Sequence, residues 1–98
     1  MPFGDDSLVF KIGGRMFLLA TLAGDFRINV KCDPEYAVQL REQYCDVNPG
    51  YHMNKKHWNT IDINGSIADA LIFKWIDHSY NLVLKSLPRK IREEIENS

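Results

Sequence analysis

Between Val47 and Ile61 the chain carries no acidic residue, yet it gathers His52, Asn54, Lys55, Lys56, His57, Trp58 and Asn59 within eight positions. Lysine attracts phosphate, and asparagine and histidine side chains hydrogen-bond to phosphate or base edges. An indole can stack on a base. The chemistry on offer is recognition of a nucleic-acid backbone, with Lys11, Arg15 and Lys31 joining the set if neighbouring strands bring them near. A plainer reading stands beside it. Trp58 is large and apolar and falls in a predicted strand, which makes it a core residue first. Two adjacent lysines on a strand also serve as a solvated edge that discourages aggregation.

Other chemistries find less support. His52, His57 and His78, with Asp77, are the metal-ligand types at hand, but their spacing matches no zinc pattern and no Cys/His pair completes it. Gly13-Gly14 lacks the Gly-Lys-Ser/Thr of a phosphate loop, and a hairpin turn explains both glycines. His57 with Ser66 or Cys45 has neither a nucleophile elbow nor a cysteine–histidine signature around it. His78 sits at the rim of an apolar helical stripe, where a packed, hydrogen-bonded histidine is expected. The basic Lys85, Arg89, Lys90 and Arg92 are followed at once by Glu93, Glu94 and Glu96 and read as an ion-paired helix surface. No catalytic residue, metal ligand or cofactor is therefore expected.

Composition sets the frame for these residues. The chain has 98 residues, 45% hydrophobic and 26% charged, with a formal net charge of −1. That is one domain over residues 1–98 with a modest core. Dedicated nucleic-acid binders are usually basic overall, so a DNA reading must rest on a local patch. Cys32 and Cys45 form no CxxC pair and follow no secretory stretch. Both read as reduced, buried thiols of a cytoplasmic protein. No apolar run approaches the roughly 20 residues of a membrane span.

The elements that must position the cluster are legible as patterns. Leu8–Ile12 and Arg15–Leu22 flank Gly13-Gly14 as a hairpin, with Phe10 expected across from Phe17 and Lys11 across from Met16. Ala23-Gly24-Asp25 is a turn. Phe26, Ile28, Val30 and Cys32 alternate with polar residues as the buried side of a strand. Asp33-Pro34-Glu35 starts a helix that presents Tyr36, Ala37, Leu40 and Tyr44 on one face and ends near Tyr44 or Cys45. Val47–Asn54 reads as a loop and Lys56–Ile63 as a strand closed by Asn64-Gly65. Ser66-Ile67-Ala68-Asp69 resembles a capping box for a long amphipathic helix reaching Leu87. Pro88 then precedes a short charged helix to Glu96, with Ile91 and Ile95 on one side. Strands and helices do not alternate regularly. The fold class expected is α+β: an antiparallel sheet of four to five strands with helices packed on one face.

The stretch Pro-Gly-Tyr-His-Met-Asn-Lys-Lys-His-Trp-Asn-Thr over residues 49–60 is distinctive. With Pro2-Phe3-Gly4, Val30-Lys31-Cys32-Asp33-Pro34, Ile76-Asp77-His78-Ser79-Tyr80 and Ser86-Leu87-Pro88 in order, the chain resembles the MmcQ/YjbR family over nearly its whole length. The resemblance implies a CyaY-like fold with a "double wing" arrangement and DNA binding, a role inferred for that family largely by analogy of fold. Iron binding of the CyaY kind would need a carboxylate ridge on the first helix, which here offers only Glu35 and Glu42 around Arg41. Members of the family carry a further N-terminal helix before the Pro-Phe-Gly segment, where this sequence begins. Without that helix one sheet face is less covered. A homodimer partner would cover it, or the domain would be less stable; a misplaced reading-frame start is the other explanation.

Two functions follow as expectations. One is a non-catalytic DNA-binding protein, with Lys11, Arg15, Lys31, Lys55 and Lys56 on phosphate and His52, Asn54, His57 and Asn59 hydrogen-bonding. The other is a protein-interaction or small-ligand module that uses the Tyr51–Trp58 loop as a pocket wall.

Overall fold

The computed structural model describes residues 7–22, 24, 26–50 and 53–97. Residues 1–6, the Ala23 and Asp25 positions of the second turn, Tyr51 and His52, and Ser98 lie outside the described residues. Within them the order is β1 (Ser7–Ile12), β2 (Arg15–Thr21), β3 (Arg27–Lys31), α1 (Pro34–Gln43), β4 (Val47–Pro49), β5 (Trp58–Asp62), α2 (Asp69–Ser86) and α3 (Arg89–Glu96). The strands form one antiparallel sheet in the order β1-β2-β3-β5-β4. This is the expected α+β architecture.

One face of the sheet holds the core. Directly paired residues share a face and alternate residues change it. The pairs Ala20 with Ile28 and Ile28 with Ile61 therefore set one apolar row, which packs with Val30, Val47, Leu40, Ile72 and Trp75. Helix α2 lies over β1–β3 and α1 over β4 and β5. Helix α1 starts as its sequence demands: Asp33 accepts from the backbone N–H of Glu35 at 3.1 Å and of Tyr36 at 3.3 Å, with Pro34 in the first turn. Ala37 and Leu40 are buried, and Tyr36 and Tyr44 pack against the same core.

Several local expectations are corrected. Phe10 pairs with Leu18, not Phe17, because the register shifts between Phe10 and Lys11 while Lys11 still pairs with Met16. Phe17 is the extra residue of a β-bulge, and a bulge re-aims the side chain it inserts. Phe17 meets Tyr80 of α2 edge to face at 5.2 Å between ring centroids. Phe26 precedes the first ladder pair, Arg27 with Asp62, and is exposed rather than buried.

Val47–Pro49 is an edge strand on β5 and not loop. An edge position tolerates Pro49, which has no N–H to donate. The capping box at Ser66 does not form: the position before α2 is Ala68, without a side-chain cap. Ser66 Oγ donates instead to the Asp46 carboxylate, and Ser66 N–H to Asn64 Oδ1 at 3.0 Å, so its hydroxyl is committed elsewhere. Asp69 in the first turn supplies the favourable charge.

Trp58 is corrected too. It pairs with Lys31, one residue out of phase with Val30 and Ile61, and so belongs to the face away from the helices, where it is half-buried. The core tryptophan is Trp75, 2% exposed. Cys32 is buried as expected, whereas Cys45, just past the end of α1, is exposed; both are free thiols. Among the described residues no helix is long and apolar enough to cross a membrane.

Candidate nucleic-acid interface

The ladder registers bring two projections to one end of the sheet. From Leu18 toward Arg15, from Val30 toward Cys32 and from Asn59 toward His57, the three strands run to the same edge. There the Gly13-Gly14 hairpin tip and the Asn54–His57 turn flank the end of β3. Neighbouring strands are about 4.8 Å apart, so β1 and β5 are separated by about 14 Å.

The turn is built by Asn54. Its carbonyl accepts from His57 N–H at 3.2 Å and from Trp58 N–H at 3.0 Å, and its side-chain oxygen accepts from Lys56 N–H at 2.9 Å. These bonds draw Lys56 and His57 out of the strand expected to begin at Lys56, so β5 starts at Trp58. His57 O accepts from Cys32 N–H at 2.7 Å, which anchors the turn to the end of β3. Lys55 Nζ donates to Gly50 O at 3.3 Å. Gly50 is close against Trp58: a Cβ there would stand 2.7 Å from Trp58 Cβ and 2.9 Å from its carbonyl oxygen.

Arg41 of α1 holds this turn from below, and nothing in the sequence pattern marked it. Its Nε donates to Asn59 Oδ1 at 2.7 Å and its Nη2 to Trp58 O at 3.2 Å. The same Nη2 also donates to Lys55 O. A planar guanidinium can serve three acceptors in a fixed fork. The signal that could have found it is a basic residue late in α1, one turn beyond Ala37, facing a loop with no carboxylate.

The structure places the sequence-derived site residues differently. Lys55 and Lys56 are exposed on the turn, with Lys56 beside Pro34, Glu35, Val38, Gln39 and Arg41 along a shallow depression on α1. Lys11 pairs with Met16 and Lys31 with Trp58, both on the face away from the helices; Lys11 is exposed and Lys31 half-buried. Asn54 and His57 belong to the turn itself. Arg15 and Asn59 are bound into the fold. Arg15 reaches α2, where Nη1 donates to Ser86 O at 2.9 Å and to Ser86 Oγ at 3.1 Å, a cation at a helix C-terminus. Asn59 is 1% exposed, accepts from Arg41 and donates to Ala37 O at 3.4 Å. His52 lies outside the described residues.

Behind the turn, Lys31 N–H donates to Ser79 Oγ at 2.8 Å, and Ser79 Oγ donates to Phe17 O at 2.6 Å, so one buried hydroxyl ties α2 to both β2 and β3. His78 Nε2 accepts from Asp33 N–H at 3.3 Å, and its ring meets Tyr36 edge to face. Burial lowers the His78 pKa below its usual 6.5, against the pull of the Asp33 carboxylate. Burial raises the Cys32 thiol to about 11, with the Asp33 charge adding to it. The Cys32 thiol is therefore protonated at neutral pH and is not an activated nucleophile. Among the described residues no three His, Cys, Asp or Glu side chains come together as a metal site would need.

The chain is similar to proteins of several bacteria. It is 40% identical over 95 residues to YbdF of Escherichia coli O157:H7, covering 96% of this chain and 78% of that protein. It is 39% identical over 66 residues to YjbR of Escherichia coli K12, covering 67% of this chain and 56% of that protein. It therefore spans about half of YjbR's length. Both relatives are named only as uncharacterised proteins. Among solved structures, Deinococcus radiodurans protein DR2400, a DUF419 domain, matches 98% of this chain and 75% of its own at a TM-score of 0.89 and 37% identity. A Pseudomonas syringae protein matches 81% and 78% at 0.72 and 28% identity. The YjbR family model matches residues 1–82, and the chain belongs to the YjbR family.

Proposed function

We propose that this chain is a non-catalytic, cytoplasmic DNA-binding protein that contacts phosphate through Lys11, Lys31, Lys55 and Lys56. The observation that carries the reading is the gathering of the hairpin tip, the end of β3 and the Asn54–His57 turn at one end of the sheet. The stretch from Val47 to Ile61 brings no carboxylate to that end. The outermost strands behind the two projections, β1 and β5, are about 14 Å apart, close to the roughly 12 Å width of a B-DNA major groove. Asn54 and His57 can hydrogen-bond to the same backbone. Arg15 and Asn59 are left out of the contact set because their side chains hold the fold together.

With a net charge of −1, attraction is local and binding is expected to be modest, in the micromolar range typical of non-specific contacts. Fluorescence anisotropy of a labelled duplex across a salt series tests it. Affinity that falls steeply with salt, and drops in Lys55→Ala/Lys56→Ala, supports phosphate contact. No binding at low salt by folded protein overturns it.

A second reading concerns the partner in solution. Leu8, Phe10, Leu22, Phe26 and Phe73 are large, apolar and exposed, and all five line one groove. Exposed apolar patches of this kind mark interaction surfaces, which supports self-association as a homodimer.

A further inference from the structure

The two tryptophans are held in opposite ways. Trp75 is 2% exposed, donates from Nε1 to the Tyr36 hydroxyl at 3.2 Å and meets the Tyr44 ring at 5.3 Å between centroids. Trp58 keeps part of its surface in solvent, and among the described residues its indole has neither a hydrogen-bond nor a ring partner. An indole N–H that is buried for packing alone usually finds such a partner. The backbone of Trp58 is nonetheless fixed. Its N–H donates to Asn54 O at 3.0 Å, and its carbonyl oxygen accepts from Gly50 N–H at 2.8 Å and from Arg41 Nη2 at 3.2 Å. A rigid backbone therefore carries a large π-surface that the described fold leaves without a polar or aromatic contact.

Trp58 belongs to the last outward row of the sheet. Paired residues share a face, so Lys31 stands directly across from Trp58, and Met16 across from Lys11, on the face away from the helices. In sheet order the row at this end reads Lys11, Met16, Lys31, Trp58, and it holds no carboxylate. The row behind it, Leu19, Asn29 and Thr60, is closed, at 3%, 4% and 6% exposed. Room for a ligand on this face is thus confined to the end row, where an indole lies beside an ammonium.

We propose that Trp58 stacks on one unpaired nucleobase, with Lys31 on the adjoining phosphate, so that the basic end of the sheet prefers single-stranded to duplex DNA; this rests on the phosphate-contact reading above. Every base has a π-face, so the contact is indifferent to sequence. In a duplex those faces are covered by neighbouring pairs. Exposing one costs about as much as an aromatic stack returns, so a duplex gains from the lysines alone. The closed row behind Trp58 limits the stack to a single base. Lys55 and Lys56, on the turn that leads into Trp58, take the phosphates that follow.

Titration of the full chain at low salt with a short oligo-dT, and separately with a relaxed circular duplex that has no ends, tests the proposal. Tryptophan emission and its quenching by acrylamide are read together with affinity. Trp75 is buried, so Trp58 is the acrylamide-accessible emitter. Oligo-dT is expected to quench that emission and to protect it from acrylamide, whereas the circular duplex does neither. Trp58→Ala is expected to weaken oligo-dT binding by about tenfold or more, with the salt slope and the duplex affinity retained. If Trp58→Ala fails to fold, Trp58→Phe and the acrylamide protection of the wild-type chain decide. A Lys–Trp pair that only stabilises the sheet would leave Trp58 blind to DNA. Oligo-dT binding without quenching, or equal affinity for the two DNAs, therefore overturns the stack while the phosphate reading survives. Binding to neither DNA by folded protein overturns both.

Discussion

Arg41 Nε donates to Asn59 Oδ1 at 2.7 Å, joining the last turn of α1 to the start of β5. Through the same guanidinium, α1 also holds the carbonyl oxygens of Trp58 and Lys55. The basic turn is therefore supported by a residue that itself need not touch DNA. Charge-assisted bonds of this kind contribute about 1.5–3 kcal/mol when a partner is removed. Arg41→Ala is expected to lower stability by about that amount in urea unfolding, and to raise hydrogen exchange at Lys56 to Trp58. Arg41→Lys should recover little, because an ammonium lacks the fork that reaches three acceptors.

Gly50 is constrained by space. A Cβ there meets Trp58 Cβ at 2.7 Å and Trp58 O at 2.9 Å, and neither atom can swing aside as a side-chain tip could. Gly50 N–H also donates to Trp58 O at 2.8 Å, so the two backbones cannot separate without losing that bond. Gly50→Ala is expected to destabilise by about 1–3 kcal/mol, the range for overpacking. Gly14→Ala, whose Cβ would enter open space at a φ of 81°, carries backbone strain alone. Chemical denaturation of the pair separates crowding from strain.

The sheet, its single helical face and the two principal helices were legible because strong periodicity survives any tertiary context. The Phe26–Cys32 alternation and the Ala37/Leu40 spacing needed only burial of one face. Two side chains were misplaced where one residue of phase decides the face. Trp58 reads as core by size alone, but Asn59 and Ile61 already hold the inward phase of β5. Phe17 was misaligned by one because nothing local signals a bulge set by packing against Tyr80 and Ser79. Within the candidate site, the lysines stood out as a run without carboxylates. Which of them are bound into the fold was not legible: the bond from Arg15 to Ser86 spans 71 positions, and no short-range pattern encodes it. Arg41 was missed for the same reason.

His78 gives the fold a pH response. Its pKa is lowered in the folded chain by burial, and its neutral Nε2 accepts from Asp33 N–H. The unfolded chain then binds more protons below pH 6.5, so stability rises with pH in that range. The contribution is complete above about pH 6.5 and is lost as pH falls through that value toward the folded pKa. His78→Gln is expected to flatten the pH dependence of the urea midpoint between about pH 5 and 7. An NMR titration of the wild-type ring at or above 6.5 would contradict the assignment.

The two thiols should behave oppositely. Cys45 is exposed, whereas Cys32 is buried with its pKa raised to about 11. A thiol reagent reacts through the thiolate. One thiol per native chain is expected to react promptly at pH 8, and the second only on unfolding. The slow phase should therefore follow urea concentration as the unfolding transition does.

The proposed contact set divides the basic residues by kind of effect. Lys31→Ala and Lys56→Ala remove charges of the proposed contact set, so each is expected to reduce the salt slope of duplex binding by about one and leave the unfolding midpoint nearly unchanged. Arg15→Ala should act the other way round. Its guanidinium holds Ser86 O and Ser86 Oγ at the end of α2, beside the Gly13 turn that packs against Leu87. Its loss is expected to lower stability by about 1 kcal/mol, with the salt slope retained in protein that remains folded. Equal loss of slope in all three variants would mean that Arg15 leaves Ser86 to meet phosphate, and the division drawn between fold and interface would fail.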